Sequence, residues 1–284
     1  MVLEEIMSVF SAEKKPYELF FIGILYSTVA IFLSLWIFRN YASLVMVFLT
    51  VIACIPLVYN AIKLEEEKDI KIEKETTLLK EHSKVLAFIM FLFLGITVSF
   101  AVWYVILPPD LVQLLFHSQT ETIAGINSYV SGKASVNSFT IFSKILFNNI
   151  KVLTFCILFA FIYGFGSIFI LTWNASVIGV AIGNFIRVNV GAYVNSVGLI
   201  KAATYFQVFS LSLLRYFTHG IPEIIAYVIG GIAGGIISIA IMKGDFKNKG
   251  FEKVLFDSSE LITISLLFLL VAAFIEVYVT PILF

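Results

Sequence analysis

Long apolar runs, separated by short charged or polar segments, dominate this chain. Four of them, Leu19–Phe38, Ala42–Ile62, Val85–Leu107 and Val152–Trp173, contain no Asp, Glu, Lys or Arg. Each reaches the roughly 20 apolar residues that a helix needs to cross a bilayer. Membrane-barrel strands would alternate in polarity over about ten residues, so the runs predict helices and exclude a barrel. Only Arg39-Asn40-Tyr41 separates the first two, which predicts a tight helical hairpin.

The pattern weakens between Asn174 and Gly220. Ala175–Ile186 is apolar but only about half a membrane long at helical rise, and Arg187, Asn189, Gly191 and Asn195 follow it. Leu199–Leu214 contains Lys201 and Gln207 and ends at Arg215. It reads as an interfacial or re-entrant helix as readily as a span. Two more spans follow, Ile221–Met242 and Leu261–Phe284. The expected fold class is an all-α polytopic transmembrane bundle of about seven spans, six to eight being compatible, with a broken or re-entrant helix in 174–220.

Composition agrees. The chain is 60% hydrophobic and 13% charged with a mean hydropathy of +1.00, and a soluble core of this size would leave too little polar surface to cover it. Net charge is zero, which gives no support to nucleic-acid binding. Cys54 and Cys156 both fall inside apolar runs and read as small core residues, not a disulfide or metal pair.

Local charge sets an expected topology. Lys14 and Lys15 precede the first span, Lys63, Lys68, Lys71, Lys74, Lys80 and Lys84 lie between the second and third, and Lys243, Lys247, Lys249 and Lys253 between the last two. The positive-inside rule puts all three segments in the cytoplasm. The Ser-, Thr- and Asn-rich segment 108–149 then lies outside, the N-terminus inside and the C-terminus outside. This needs an inner turn at Trp173-Asn174. The first apolar run is too long for a signal h-region and no small-residue cleavage site follows it, so it is expected to be retained. Two regions result: 1–84, a helical hairpin with a charged cytoplasmic segment expected to be a solvated helical extension, and 85–284, a membrane domain with the outer loop 108–149.

Polar residues near lipid are costly, so each needs an account. Asn148 and Asn149 stand before the fourth span, where Asn is a good N-cap. Asn174 stands where that span is expected to break. In Thr218-His219-Gly220-Ile221-Pro222-Glu223, Thr218 suits a cap and Pro222 a first turn. His219 and Glu223 are four apart and share a helix face. The bland account is capping with a favourable helix dipole; the sharper one is an ionisable pair at a cavity mouth. Gly179 and Gly183, and Gly230, Gly231, Gly234 and Gly235, form small-xxx-small patterns, which serve helix packing within the chain or, alternatively, a homodimer seam. Glu276 is alone in the last span, with Arg187, Lys201 and Arg215 as candidate charge partners. No P-loop, nucleophile elbow, zincin motif or dinucleotide fingerprint occurs, so no catalysis, cofactor or metal is expected.

On Phe147-Asn148-Asn149, Gly164 and Gly166, Trp173-Asn174 with Gly179 and Gly183, and His219-Gly220-Ile221-Pro222-Glu223 before the glycine-rich sixth span, the chain resembles the stage II sporulation protein M family over roughly residues 79–284. Asn174-Ala175 departs from the Asn-Gly common there. The resemblance implies a non-enzymatic membrane protein, a scaffold or assembly factor, whose partners besides the lipid bilayer are other membrane or extracytoplasmic proteins; in spore formers the relative resembles a scaffold for cell-wall hydrolases. It points to Asn149, His219 and Glu223 as the functional residues. The competing reading is a transporter or channel with a polar cavity around His219 and Glu223, since broken helices and intramembrane polar groups build midplane sites. An intramembrane enzyme is the third reading and lacks a nucleophile or metal set.

Overall fold

The structure, a computed structural model, describes residues 15–72, 75–131, 137–163, 166–192, 199–244 and 249–283. The described residues are helical throughout, with no strand among them. In chain order the helices are α1 (Glu18–Ile37), α2 (Ala42–Lys71), α3 (Glu75–Ile106), the short α4 (Pro109–Leu115), α5 (His117–Ser131), α6 (Ser138–Tyr163), α7 (Ser167–Ala192), α8 (Leu199–Met242) and α9 (Lys249–Phe274). A π-helical turn, Ile275–Val279, joins α9 to the terminal turn α10 (Thr280–Leu283). Seven of these segments are long and apolar enough to cross a membrane. One 3-10 turn, Arg39–Tyr41, closes the α1–α2 hairpin.

Helices α2 and α3 run 30 and 32 residues, about 45–48 Å at helical rise, against a hydrocarbon core of about 30 Å. The excess is the charged part: Lys63–Lys71 of α2 and Glu75–Lys84 of α3 overhang the charge-free stretches that cross the membrane. Lys243 and Lys253, flanking the α8–α9 connection, reach the same overhang. The two basic segments therefore share one end of the bundle, as the charge pattern requires.

Close approach of backbones holds the rest together. A methyl on Gly95 of α3 would lie 2.0 Å from the Phe20 carbonyl oxygen of α1, and one on Gly23 of α1 would lie 2.5 Å from that of Leu92. Thr28 of α1 adds a hydroxyl contact to Ser99 at 3.1 Å and accepts from the Trp103 indole at 3.0 Å. Gly179 and Gly183 of α7 seat against Phe100 and Tyr104 of α3. Gly230 and Gly234 of α8 seat against Leu153 and Ile157 of α6, and Gly231 against Ser167 of α7. These five glycines of the predicted patterns are thus used within the chain, and Gly235 is buried beside them. The membrane half of α8 is the innermost helix, wrapped by α6, α7, α9 and α2. Phe21, Leu25, Val29, Phe32 and Trp36 of α1, and Leu267, Leu270, Val271 and Phe274 of α9, form exposed apolar stripes suited to lipid.

Five expectations change. The fourth span ends at Tyr163, not Trp173, and the next helix starts at Ser167; α7 runs unbroken through Trp173-Asn174 to Ala192. Gly166 is the reason, since its missing side chain admits the Phe159 carbonyl oxygen to 2.3 Å of where a Cβ would stand. The half-length stretch Ala175–Ile186 is the second half of a full helix. Asn148 and Asn149 do not cap α6, which begins ten residues earlier with Asn137 accepting from the Phe139 amide at 3.3 Å. Thr218 and Pro222 do not open a helix but lie inside α8, where Thr218 bonds back to the Leu214 carbonyl. Finally, the overhang at 65–82 is helical but not a solvated extension, because Glu65, Glu66, Asp69 and His82 are buried in it. Cys54 and Cys156 are buried and free.

Candidate functional site

The intramembrane site begins with Pro222. A proline inside a helix leaves the carbonyl four residues back without its backbone donor, and Glu223 follows directly. One turn on, the Tyr227 hydroxyl donates to Glu223 Oε1 at 2.6 Å. The Tyr227 side chain is fully buried. The π turn Ile275–Val279 packs against this stretch of α8 and against α6, with the rings of Tyr278 and Phe142 6.5 Å apart. It carries Glu276, half-buried in this packing. π turns are rare and recur at functional positions.

Helix α6 supplies the third side. Asn149 is 5% exposed, and its Nδ2 has no hydrogen-bond partner among the described residues. Leu153 meets Gly230 and Ile157 meets Gly234, so α6 and α8 run parallel here. Asn149, one turn before Leu153, therefore stands level with Ala226 and Tyr227, one turn from Glu223. Of the predicted cluster, then, Asn149 and Glu223 come to one interface. Asn148 is exposed. Asn174 stays on α7, its amide donating to the Ile170 carbonyl at 2.8 Å. The side chains of His219 and Arg215 lie outside the described residues, as does that of Lys201. Arg187 is not the partner of Glu276: it donates to the carbonyls of Val105 and Leu107, which end α3, and lies 5.5 Å from the Tyr104 ring centre.

A second cluster, missed in the sequence, fills the overhang. His82 of α3 sits between two carboxylates of α2, Nδ1 at 2.8 Å from Glu65 Oε2 and Nε2 at 3.3 Å from Asp69 Oδ1. Lys68 pairs with Glu65 at 2.7 Å and Glu81 at 3.3 Å. Lys243 pairs with Glu66. Lys253 donates to the carbonyls of Asp69, at 2.8 Å, and of Ile72, capping the C-terminal end of α2 with a cation where the helix dipole favours one. Burial opposes the charging of His82, but the hydrogen bonds and charges of Asp69 and Glu65 outweigh it and push the imidazole up to about 9. Burial pushes the Asp69 carboxyl up, with His82 partly offsetting it. The signal was present: Val58, Ile62, Glu65 and Asp69 continue the buried stripe of α2, and Leu78, His82, Val85 and Ile89 that of α3. Among the described residues no three His, Cys, Asp or Glu side chains are arranged to hold a metal ion.

The sequence profile of the stage II sporulation protein M family matches residues 87–281. The chain belongs to that family. It is also 30% identical over 143 residues to an uncharacterized protein of Methanocaldococcus jannaschii, covering 49% of this chain and 71% of that protein. No solved structure matches it. The intramembrane site lies wholly inside the family region, whereas Glu65, Asp69 and His82 lie before it. The buried charge cluster therefore joins the N-terminal hairpin to the two last long helices of the family domain.

Proposed function

We propose that the protein is a membrane scaffold or assembly factor without catalysis of its own, whose non-basic end faces outward and receives the extracytoplasmic part of a partner protein. The supporting observation is a rigid ledge at that end. Gln119 of α5, fully buried, accepts from the Ser43 hydroxyl at 3.1 Å and donates to Ser176 Oγ at 3.2 Å, so that α2, α5 and α7 are tied at one point. The Ser118 amide donates to the same Ser43 hydroxyl at 3.1 Å. Beside this tie lies an open depression of about 550 Å³, lined by Asn40, Tyr41, Asp110, Gln113, His117 and Ser118 among others. A preformed, open, mixed polar surface with an aromatic edge suits a protein partner, which loses little entropy docking on it. The family resemblance supports the same reading.

The test is a photocrosslinking residue placed at Gln113 in native membranes. A discrete protein adduct, weakened by Asp110→Lys, is the expected result; crosslinks to lipid alone would overturn the reading. A transporter is the second reading, favoured by the carboxyls of Glu223 and Glu276 inside the bundle. It requires substrate flux in vesicles that Glu223→Gln abolishes, a result the scaffold reading does not produce.

A further inference from the structure

We propose that the lipid-facing side of α6 carries a binding site for the headgroup of an anionic phospholipid, in which the Lys151 ammonium and the Asn148 amide hold the phosphate. The proposal rests on neither functional reading above.

Helix α6 turns Asn149, Leu153, Cys156 and Ala160 inward, all buried. Its opposite side is exposed, and along it Lys144, Asn148 and Lys151 recur at helical spacing, followed by the apolar positions Phe155, Leu158 and Ile162. Hydroxyls on this helix are already used: Thr154 donates to the Ile150 carbonyl at 2.8 Å and Ser143 to that of Phe139 at 2.9 Å. Asn148 and Lys151 are thus polar groups on the outer side of a segment long and apolar enough to cross a membrane. Helix α6 contains no Asp or Glu, and among the described residues Lys151 makes no ion pair. A charge on the lipid-facing side of a span is costly unless it reaches a counter-charge.

Only one direction is open to the Lys151 side chain. The twelve residues that follow it to the end of the helix, Val152–Tyr163, carry no charge and cover about 18 Å at helical rise, so water on that side is out of reach. A helical side chain leans toward the N-terminus and lies over the preceding turn. Lys151 is therefore carried over Phe147 and Asn148, toward the headgroups of the leaflet at the non-basic end of the bundle. There the ammonium and the Asn148 amide present N–H donors to one point. Donors with no acidic neighbour suit an oxyanion, and the oxyanion that a bilayer supplies at this depth is the lipid phosphate. An anionic phospholipid fits better than a zwitterionic one, because its phosphate has no cation of its own to compete with Lys151. A second copy of α6 does not fit, since a two-fold contact would set Lys151 against Lys151. Phe147, 71% exposed, and Phe155 lie beside the pair and suit acyl chains.

The experiment places a photocrosslinking benzophenone side chain at Phe147, an exposed aromatic position, in the full chain reconstituted into vesicles of phosphatidylcholine with a minor share of phosphatidylglycerol. Lipid adducts are identified by mass spectrometry. With Lys151 intact, phosphatidylglycerol adducts are expected to exceed that lipid's share of the bilayer by roughly fivefold, the factor that one lysine near anionic headgroups provides. They should return to that share in Lys151→Met, which keeps the length of an exposed side chain and removes its charge. Asn148→Leu lowers the excess in part. The same probe at Leu270, on the exposed stripe of α9, is expected to report the bulk composition. Adducts at Phe147 in proportion to the bilayer overturn the proposal and need no Lys151 variant. An excess that Lys151→Met leaves unchanged, or an equal excess at Leu270, also overturns it. In native membranes, a protein adduct at Phe147 in place of lipid overturns it too and gives this face to a partner helix carrying a carboxylate.

Discussion

At the residue scale, His82 shows how a polar side chain earns a place in an apolar stripe. It stands on the buried face of α3 at a position where Val85 and Ile89 continue inward, and it is tolerated because Glu65 and Asp69 meet both ring nitrogens. His82→Ala leaves two buried carboxylates facing a void and is expected to cost roughly 3–5 kcal/mol, the usual loss when one partner of a buried pair is removed. The pH dependence has a definite sign. The folded-state value of His82, about 9, exceeds the ordinary imidazole value of 6.5, so its stabilisation is full below about pH 6.5 and lost as pH rises through about 9. Thermal unfolding of the detergent-solubilised protein should therefore fall across that window, and the fall should shrink in His82→Ala. An unchanged slope in the variant would remove His82 from this role. The sequence placed this residue in a charged segment expected to be a solvated helical extension, because a count of charges cannot tell a paired, buried set from a solvated one. Glu223 and Asn149 were legible as costly polar groups near lipid. Their convergence was not, since it depends on the register of α6 along α8, set by Gly230 and Gly234, and Tyr227 drew no attention as one more aromatic in an apolar run.

At the element scale, the helices were legible wherever an apolar run was uninterrupted, and misplaced where two runs fused. Val152–Trp173 read as one span because its hydropathy never drops; α6 ends within it at Tyr163 and α7 starts at Ser167, with Gly166 admitting the Phe159 carbonyl to close contact. The polar residues that seemed to mark a break, Asn174 and Arg187, instead satisfy carbonyls, one in its own helix and one at the end of α3. Small residues thus decide helix geometry more than polarity does, as expected in lipid, where burial of apolar surface drives little. Gly95 offers a direct test. Gly95→Ala brings a methyl to 2.0 Å from the Phe20 carbonyl oxygen, and the outward shift of α1 is expected to cost about 1–3 kcal/mol. Gly125→Ala, with nothing within 4 Å of the new methyl, is the control and should be neutral or slightly stabilising. Melting temperatures of both in the same detergent check the pair; equal shifts would mean that the α1–α3 contact is not limiting.

At the scale of the whole molecule, the two ends of the bundle differ in kind. One gathers both basic segments and ties the N-terminal hairpin to α8 and α9 through Lys243 and Lys253. The other carries α4 and α5, folded back and fixed by Gln119, beside the open depression. A lysine-rich end resists translocation, so it is expected to remain cytoplasmic and to set the orientation of every span. Replacing Cys54 and Cys156 by alanine and introducing single cysteines at the exposed positions Lys80 and Gln113 makes the two ends separately addressable. A membrane-impermeant maleimide should then label Gln113→Cys in intact cells and Lys80→Cys only after permeabilisation. The reverse pattern would turn the molecule over and place the proposed docking ledge in the cytoplasm; labelling of both from one side would mean that α3 does not cross the membrane. Because the depression lies at the N-terminal end of α2 and the basic cluster at its C-terminal end, one experiment at two positions decides which face of the membrane a partner must come from.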